Sequence, residues 1–250
     1  MLTLAKMEGK PEIFYSIQGE GKNMGVPSIF IRLSQCNLYC YWCDTDYTWN
    51  WNTLPFPHQN DLIPGYAKYD KKTSTIRLSN EDIWTAITQY PCKHLIFTGG
   101  EPLVQKKQLV QLLQLIKQHP GYHIAFETNG TILPGNELDQ LTDQYNVSIK
   151  LSNSHVTAEE RIVPEAIRFF SKSEKANFKF VIDNPQDLEE VNELLQQFSI
   201  APNRVYLMPQ GTSAQALQAR QLWLVEICKE YGYNYTDRLH IHIFGNKRGV

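Results

Sequence analysis

The sequence predicts an α/β protein with a mostly parallel sheet, because short β-type runs alternate with helical segments along most of its 250 residues. Repeated βα units imply right-handed crossovers, and hence parallel strands in an open sheet or a partial barrel. The length suits one enzyme-sized domain spanning residues 1–250. A formal charge of −2 gives no indication of a nucleic-acid or membrane surface.

Local signals mark where several helices should begin. Ser79 with Asp82, and Thr157 with Glu160, have the spacing of capping boxes. Asn184-Pro185 pairs an N-cap residue with a proline suited to the first helical position. Apolar residues recur at helical spacing within 103–119. The expected helices are 79–90, 103–119, 136–144, 157–170, 184–198 and 213–231.

The unusual residues of the chain fall after the expected strands. Those strands are 29–33, 94–98, 122–127, 147–151, 178–182 and 205–208, and 240–244 closes the series. In parallel sheets, reactive groups collect on the loops at the carboxyl ends of strands. The loops that carry such residues here are 36–43, 98–102, 127–130, 148–152 and 207–211.

One segment interrupts the alternation. Residues 49–75 are rich in Asn, Pro, Tyr and Lys, and we expect them to form a long irregular insertion. A loop of this length in a compact domain often serves as a lid or a partner surface. A tolerated surface excursion is the equally open alternative.

Cys36, Cys40 and Cys43 form a C-x3-C-x2-C motif, which is the most specific chemical signal in the chain. Most 4Fe-4S clusters take four cysteines, but Cys92 lies 49 residues beyond this motif. A three-cysteine cluster leaves one iron open, as is typical of radical S-adenosylmethionine (SAM) enzymes. The alternatives are a structural zinc site completed by a residue such as His58, or ordinary buried thiols.

The other sequence signals suit an intracellular iron–sulfur protein. The cysteine count of five is odd and residues 1–10 lack the apolar segment of a secretory signal, so disulfides are not expected. No apolar run approaches the ~20 residues of a membrane span. We therefore expect a cytoplasmic protein, in a compartment whose reducing conditions suit such a cluster.

The loop after the second strand has the sequence Thr98-Gly99-Gly100-Glu101-Pro102. Two adjacent glycines let the backbone approach a ligand closely. With the carboxylate and the proline, they suit the amino group of a methionine beside the cluster, although the same residues could form a simple turn. The Glu127–Gly130 loop is a weaker signal, since Asn129 could merely occupy a left-handed turn position.

Over nearly its whole length, the chain resembles the 7-carboxy-7-deazaguanine synthase family of radical SAM enzymes. The resemblance rests on residues 12–21, 30–32, 36–46, 98–102, 127–130 and 245–250. It implies a trimmed radical SAM β/α barrel and the ring contraction of 6-carboxy-5,6,7,8-tetrahydropterin to 7-carboxy-7-deazaguanine with loss of ammonia, in queuosine precursor biosynthesis. It also implies Mg2+, SAM that is regenerated rather than consumed, a homodimer, and a flavodoxin-like or other reductant.

The resemblance also implies residue roles. Cys36, Cys40 and Cys43 would hold the cluster, Thr45 would bind Mg2+, and Arg32 would pair with the substrate carboxylate, unless it is only a strand-end charge. The expected SAM site comprises Trp42, Cys43, Asp44, Gly100, Ser148, Ile149, Lys150, Met208, Pro209, Gln210 and Gly211. The expected substrate-binding residues are Ile17, Gln18, Gly19, Glu20, Arg32, Thr98, His242 and Val250.

Two features depart from the family pattern, and two other functions remain open. Many relatives have proline at the position of Ile149, and the 49–75 insertion is long for the family. His242 is either a substrate ligand or a core histidine with satisfied hydrogen bonds. The chain could instead be a glycyl-radical activating enzyme that acts on a protein partner, or a non-catalytic iron–sulfur module. Neither alternative predicts the Gln18–Gly21 segment together with Arg32.

Overall fold

Eleven strands form one mixed sheet in the computed structural model, which describes all residues 1–250. The strands are β1 (Leu2–Met7), β2 (Lys10–Pro11), β3 (Ile13–Ile17), β4 (Pro27–Leu33), β5 (Thr75–Leu78), β6 (His94–Gly99), β7 (His123–Thr128), β8 (Gln144–Val147), β9 (Ala176–Ile182), β10 (Val205–Pro209) and β11 (Asn234–Tyr235). Seven of them are parallel, in the order β4-β6-β7-β8-β9-β10-β11. The α/β class and the mostly parallel sheet are therefore confirmed.

The remaining strands extend the β4 side of the sheet with antiparallel pairing. β3 and β1 both pair with β4, while β2 and β5 pair with β1. The two ends of the strand order, β11 and β2, do not pair with each other, so the sheet does not close on itself by hydrogen bonds. The N-terminal residues thus lie beside the first parallel strand and its functional loop.

Nine helices accompany the sheet. They are α1 (Lys71–Ser74), α2 (Asn80–Thr88), α3 (Lys106–Lys117), α4 (Asn136–Leu141), α5 (Ala158–Arg161), α6 (Pro164–Lys172), α7 (Asp187–Phe198), α8 (Ala214–Tyr231) and α9 (Leu239–Phe244). The expected helical stripe of α3 is fully buried in the main core, and comprises Leu109, Leu112, Leu113 and Ile116. The capping box of Ser79 and Asp82 is present at the start of α2. None of the helices combines the length and hydrophobicity that crossing a bilayer requires.

Five expected boundaries are wrong, and each has a local reason. The expected helix 136–144 ends at Leu141, because Thr142 is extended and Gln144 already belongs to β8. The expected strand 147–151 is instead β8, which ends at Val147 and leaves 148–151 as a loop. The expected helix 157–170 is split into α5 and α6 at Pro164, because proline cannot continue a helical hydrogen-bond pattern. The segment 184–198 becomes helical only at Asp187, whose carboxylate accepts the backbone N–H groups of Asp183 and Asn184. The segment 240–244 lies in α9 rather than in a strand.

The 49–75 segment is irregular, as expected, but a few of its side chains are packed into the molecule. It contains one 3-10 turn (Gln59–Leu62), α1 and a single bridge between Trp51 and Tyr69 before β5 begins at Thr75. Trp49 and Trp51 are both buried. The segment is therefore an integral part of the structure beside the cysteine loop.

Candidate active site

The parallel strands place their carboxyl ends around one cavity. Its walls come from the loops after β4, β6, β7, β8 and β10, from β3 and its following loop, and from the C-terminal residues 246–250. These segments are distant in sequence but adjacent in the sheet, because neighbouring parallel strands end at the same edge. The cavity thus gathers most of the residues that the sequence singled out.

Three cysteines line this cavity and share one small apolar cluster. Cys40 packs with Leu38 and Val156, and Cys36 and Cys43 pack against that group. The cluster is separate from the main core. All five cysteines of the chain are free, as expected. The three thiols are therefore presented by one loop in a dry environment that faces the cavity.

The donor set fits an iron–sulfur cluster better than a single metal ion. No three His, Cys, Asp or Glu side chains converge on one point as ligands of a single ion would. A cube needs each thiolate on a different iron, so its cysteines stand apart. Burial raises the pKa of all three thiols, that of Cys40 to about 12. The positive charge of iron would be required to hold them as thiolates.

His58, the candidate fourth ligand of a zinc site, makes hydrogen bonds through both of its ring nitrogens. Its Nε2 lies 2.8 Å from the carbonyl oxygen of Cys43, which can only accept a hydrogen bond, so this nitrogen carries the proton. Its Nδ1 accepts the backbone N–H of Asn60 at 3.2 Å. The geometry therefore disfavours the zinc interpretation.

Gly99 and Gly100 are required by the packing of two loops against each other. A Cβ on Gly99 would lie 1.9 Å from the carbonyl oxygen of Leu33, and one on Gly100 would lie 2.0 Å from that of Gln35. Gly99 also has a φ of +126°, which disfavours other residues. The absent side chains let the backbone of this loop lie directly on the start of the cysteine loop while both glycines line the cavity.

Glu101 does not face the cavity, in contrast to the glycines before it. Its carboxylate is fully buried and accepts hydrogen bonds from Leu103 N at 2.9 Å, Thr128 Oγ1 at 2.9 Å and Asn129 N at 2.6 Å. Its own backbone N–H donates to Gln35 O. Burial raises the pKa of Glu101 to about 7, partly offset by these hydrogen bonds. Glu101 is therefore a structural link among three strand-end loops.

A network of paired charges also lines the cavity. Lys179 Nζ lies 2.5 Å from Glu20 Oε2 and 3.2 Å from Glu127 Oε2, and Arg238 pairs with both Glu20 and Asp44. Burial would raise the pKa of Glu20, but the charges of Lys179 and Arg238 outweigh it and hold this pKa well below its ordinary value. Glu20 is therefore ionised at neutral pH.

Arg32 and the C-terminal residues meet at a second buried carboxylate, that of Glu12. Glu12 Oε1 accepts from Arg32 Nε at 2.9 Å and from the Tyr47 hydroxyl at 3.1 Å, and Oε2 accepts from Arg248 at 2.6 Å. The guanidinium of Arg248 lies 3.4 Å from the centre of the Tyr47 ring. The two Nη groups of Arg32 make no hydrogen bond within the chain and remain available to a ligand.

The expected SAM-binding segment shows a regular alternation. Ser148 and Lys150 line the cavity, whereas Ile149 between them is buried in the main core beside Gly130. Lys150 Nζ donates to Ser148 Oγ at 2.9 Å and lies 5.8 Å from the centre of the Trp42 ring. Ile149 therefore supports this wall through the core and does not reach the cavity.

His242 lies outside the cavity, and His240 lines it instead. Both residues are in α9, where positions two apart point about 200° away from each other. His242 contacts Asp237 at 3.2 Å, which accounts for its position. His240 lies beside Gly19, where any Cβ would meet its Nδ1 at 2.0 Å. The expectation for His242 is therefore corrected: it is neither at the cavity nor in the core.

Ile149 and His242 are the two expected site residues that do not line the cavity, all the others do, and further polar residues join them. The residues present as expected are Ile17, Gln18, Gly19, Glu20, Arg32, Cys36, Cys40, Trp42, Cys43, Asp44, Thr45, Thr98, Gly100, Ser148, Lys150, Met208, Pro209, Gln210, Gly211 and Val250. The residues that sequence reasoning did not assign to the site include Glu127, Lys179, Arg238, His240 and Arg248. For Lys179, the sequence does offer a signal: it is the one charged residue within the apolar run 178–182.

Comparisons of the sequence and of the structure with known proteins agree with one another. Residues 31–191 match the family model of the radical SAM superfamily. The 7-carboxy-7-deazaguanine synthase of Rhodopirellula baltica is 35% identical over 247 residues, covering 96% of this chain and 87% of that protein. The synthase of Pyrobaculum aerophilum is 35% identical and covers 95% of each chain. The crystal structure of QueE from Escherichia coli aligns with a TM-score of 0.64 and 26% identity, over 91% of this chain and 92% of that one.

Replacing Glu101 by Gln should loosen the loops around the cavity. All the donors around this carboxylate point at it, so an amide N–H₂ in its place would leave a buried donor facing another donor. We expect the free energy of unfolding to fall by about 1–3 kcal/mol. Chemical denaturation would measure this, with the exposed Glu137→Gln as the control. An unchanged unfolding midpoint would contradict the role given to Glu101.

Proposed function

This chain belongs to the 7-carboxy-7-deazaguanine synthase family of the radical SAM superfamily, and on that premise we propose how its cavity performs the family's reaction. The reaction converts 6-carboxy-5,6,7,8-tetrahydropterin to 7-carboxy-7-deazaguanine with loss of ammonia. One observation carries the assignment of the site: three cysteines and the unpaired Nη groups of Arg32 face the same cavity. We propose that residues 1–250 form a single catalytic domain.

Cys36, Cys40 and Cys43 would each hold one iron of a 4Fe-4S cluster. When bound, the cluster supplies the electron that cleaves SAM and begins the radical reaction. The chain contributes a dry surround through Leu38 and Val156, which keeps water from the thiolates. The fourth iron would be left for SAM, because no fourth cysteine lines the cavity.

SAM would lie along the wall formed by the loops after β6, β8 and β10. The backbone at Gly99 and Gly100 can accept hydrogen bonds from the methionine amino group, because no side chain shields it. Lys150 and Ser148 offer polar groups, and Trp42 offers an aromatic face for the adenine. The remaining members of this wall would be Asp44, Met208, Pro209, Gln210 and Gly211.

The pterin would occupy the end of the cavity that is rich in charge. Arg32 would bind its carboxylate through both Nη groups, while Glu12 holds the Nε and thereby fixes the plane of the guanidinium. Gln18 Nε2 donates to Glu127 at 3.0 Å, so the paired side chains present fixed polar edges to a ring. The other proposed contacts are Ile17, Gly19, Glu20, Thr98 and Val250.

Thr45 is the proposed protein ligand of Mg2+. Its hydroxyl lies 3.6 Å from Cys43 Sγ and 3.5 Å from Gly99 O, between the cysteine loop and the rest of the cavity. Mg2+ prefers oxygen ligands and usually keeps waters or substrate oxygens in its shell. Because waters and substrate oxygens can fill the other positions around Mg2+, the chain needs to supply only one ligand, the hydroxyl oxygen of Thr45. When bound there, the ion would orient the substrate carboxylate.

The cavity favours a small substrate over a protein partner. Residues 246–250 line it, and Arg248 is tied to the buried Glu12. A glycyl-radical activating enzyme must instead admit a polypeptide segment. We further propose a flavodoxin-like or similar reductant and a cytoplasmic location, which the free thiols favour.

A homodimer is part of the same proposal, and apolar side chains at the surface support it. Leu222 on α8 is 78% exposed, and Ile243 and Phe244 on α9 are also exposed. The two helices are in contact, since Gln221 lies 3.2 Å from His242. We propose that these exposed side chains contribute to the contact between the two protomers.

Anaerobic turnover of the reconstituted protein with 6-carboxytetrahydropterin, SAM and Mg2+ tests the proposed function. Mass spectrometry and ultraviolet absorbance should identify 7-carboxy-7-deazaguanine. Cys40→Ala should abolish both SAM cleavage and product, whereas Cys92→Ala, outside the cavity, should retain them. Wild-type protein that cleaves SAM but leaves the pterin unchanged would refute the substrate assignment.

Replacing Arg32 by Ala should weaken binding of the substrate. A desolvated carboxylate left without its partner costs on the order of 2–5 kcal/mol, or roughly 30-fold to several-thousand-fold in affinity. SAM binding and iron content should persist, because Arg32 lies outside the SAM wall. Substrate titration by calorimetry measures the effect, with the exposed Arg77→Ala as a matched strand control. Equal affinity in the wild type and Arg32→Ala would exclude the role.

Replacing Thr45 by Val keeps the shape of the side chain but removes its oxygen. We expect stimulation of turnover by Mg2+ to disappear while SAM remains bound, and Thr45→Ser to restore much of the stimulation. Initial rates across a Mg2+ titration provide the measurement. Undiminished stimulation in the Val variant would show that the ion binds elsewhere.

A further inference from the structure

The side chain of Trp49 donates a hydrogen bond to a cysteine sulfur of the proposed cluster. Its indole Nε1 lies 3.3 Å from Cys43 Sγ, and the residue is 1% exposed. An indole N–H can only donate, so the sulfur must be the acceptor. Trp49 begins the 49–75 segment, for which the sequence suggested no definite role.

The rest of this segment holds Cys43 and Trp49 in place. His58 donates to the backbone carbonyl of Cys43 at 2.8 Å, and its ring lies edge-on to the Trp49 indole. Tyr39, inside the cysteine motif, contacts the Trp49 ring and stacks on Phe56 with ring centres 3.6 Å apart. The rings of His58 and Tyr39 therefore hold the indole of Trp49 in the orientation that directs its N–H group at the sulfur.

A buried acidic group completes this support. Asp46 is 3% exposed, and its Oδ2 accepts hydrogen bonds from the Tyr66 hydroxyl at 2.7 Å and from Asn60 at 3.1 Å. Asn60 also donates its backbone N–H to His58, which links Asp46 to the ring that holds Cys43. Residues of the 49–75 segment thus form a connected hydrogen-bond network that supports Cys43.

We propose that Trp49 is a positioning residue that raises the reduction potential of the cluster. The inference rests on ligation of an iron by Cys43. One-electron reduction adds a negative charge to the cluster and its thiolate ligands, and an N–H donor to a sulfur stabilises the more negative form. The 49–75 segment would therefore make the cluster easier to reduce by the cell's electron donor.

The test compares Trp49→Phe with Trp51→Phe. Phenylalanine at position 49 keeps an aromatic ring and removes the N–H. Trp51 is a buried tryptophan of the same segment whose indole N–H donates to no protein atom, and it lies outside the cavity. A redox titration followed by electron paramagnetic resonance should show a more negative midpoint potential for Trp49→Phe, and the wild-type potential for Trp51→Phe. Equal potentials in all three proteins would overturn the inference.

A second measurement uses the unaltered enzyme, in case Trp49→Phe does not assemble a cluster. The wild type is labelled with indole-¹⁵N tryptophan, and the reduced cluster is examined by pulsed electron paramagnetic resonance. A ¹⁵N coupling transmitted through the hydrogen bond is expected, and it should persist in labelled Trp51→Phe. The indole of Trp42, which precedes Cys43 in the sequence, donates instead to Asn153 O at 2.8 Å. Absence of any ¹⁵N coupling would overturn the inference.

These outcomes are separate from the proposed function. A shifted potential in Trp49→Phe, combined with no conversion of the pterin by the wild type, would support the role of Trp49 and refute the substrate. Conversion of the pterin with an unchanged potential would do the reverse.

Discussion

The buried carboxylate of Glu101 is the interaction on which the geometry of the site depends. It has no cationic partner, and its oxygens are satisfied by two backbone N–H groups and one hydroxyl, from the loops after β6 and β7. Its backbone also bonds to Gln35, immediately before the first cysteine. A buried carboxyl group must be hydrogen-bonded, so the three loops cannot shift independently without breaking these bonds. The cysteine loop has little regular structure of its own and takes its position from this junction.

The cavity is polar because alternate residues of parallel strands face it. In β9, Phe178 and Phe180 lie in the main core, whereas Lys179 faces the cavity. Glu127 in β7 also faces the cavity. Removing an unpaired charge from water would destabilise the folded protein. The charged side chains that face the cavity are therefore paired, with Lys179 between Glu127 and Glu20. Such pairing fixes the direction of each side chain before any ligand arrives, so that binding requires little reorganisation.

Local sequence determined the parts of the site that were predictable. The cysteine motif, the glycine pair and the loops at strand ends follow from short patterns and from the rule for parallel sheets. Lys179 and Arg238 were missed because their partners lie 159 and 218 residues away along the chain, at Glu20. Two expectations differ from the structure because the local backbone conformation differs. Ile149 lies in a loop and not in a strand, and in helix α9 it is His240, not His242, that faces the cavity. The direction of a side chain depends on whether its segment is helical or extended, and the identity of a single residue does not show this.

Both ends of the chain meet at Glu12, and this contact sets the charge of the cavity beside Arg32. The antiparallel strands at the start of the chain bring Glu12 beside β4, where it pairs with Arg32 from that strand and Arg248 from the C-terminal residues. One carboxylate between two guanidiniums leaves a net positive charge, because arginine stays protonated when buried. Glu12 occupies only the Nε of Arg32, so the uncompensated charge is presented to the cavity by the Nη groups. An anionic ligand there would complete the neutralisation that Glu12 begins, and the C-terminal residues are held over the same point by the same carboxylate.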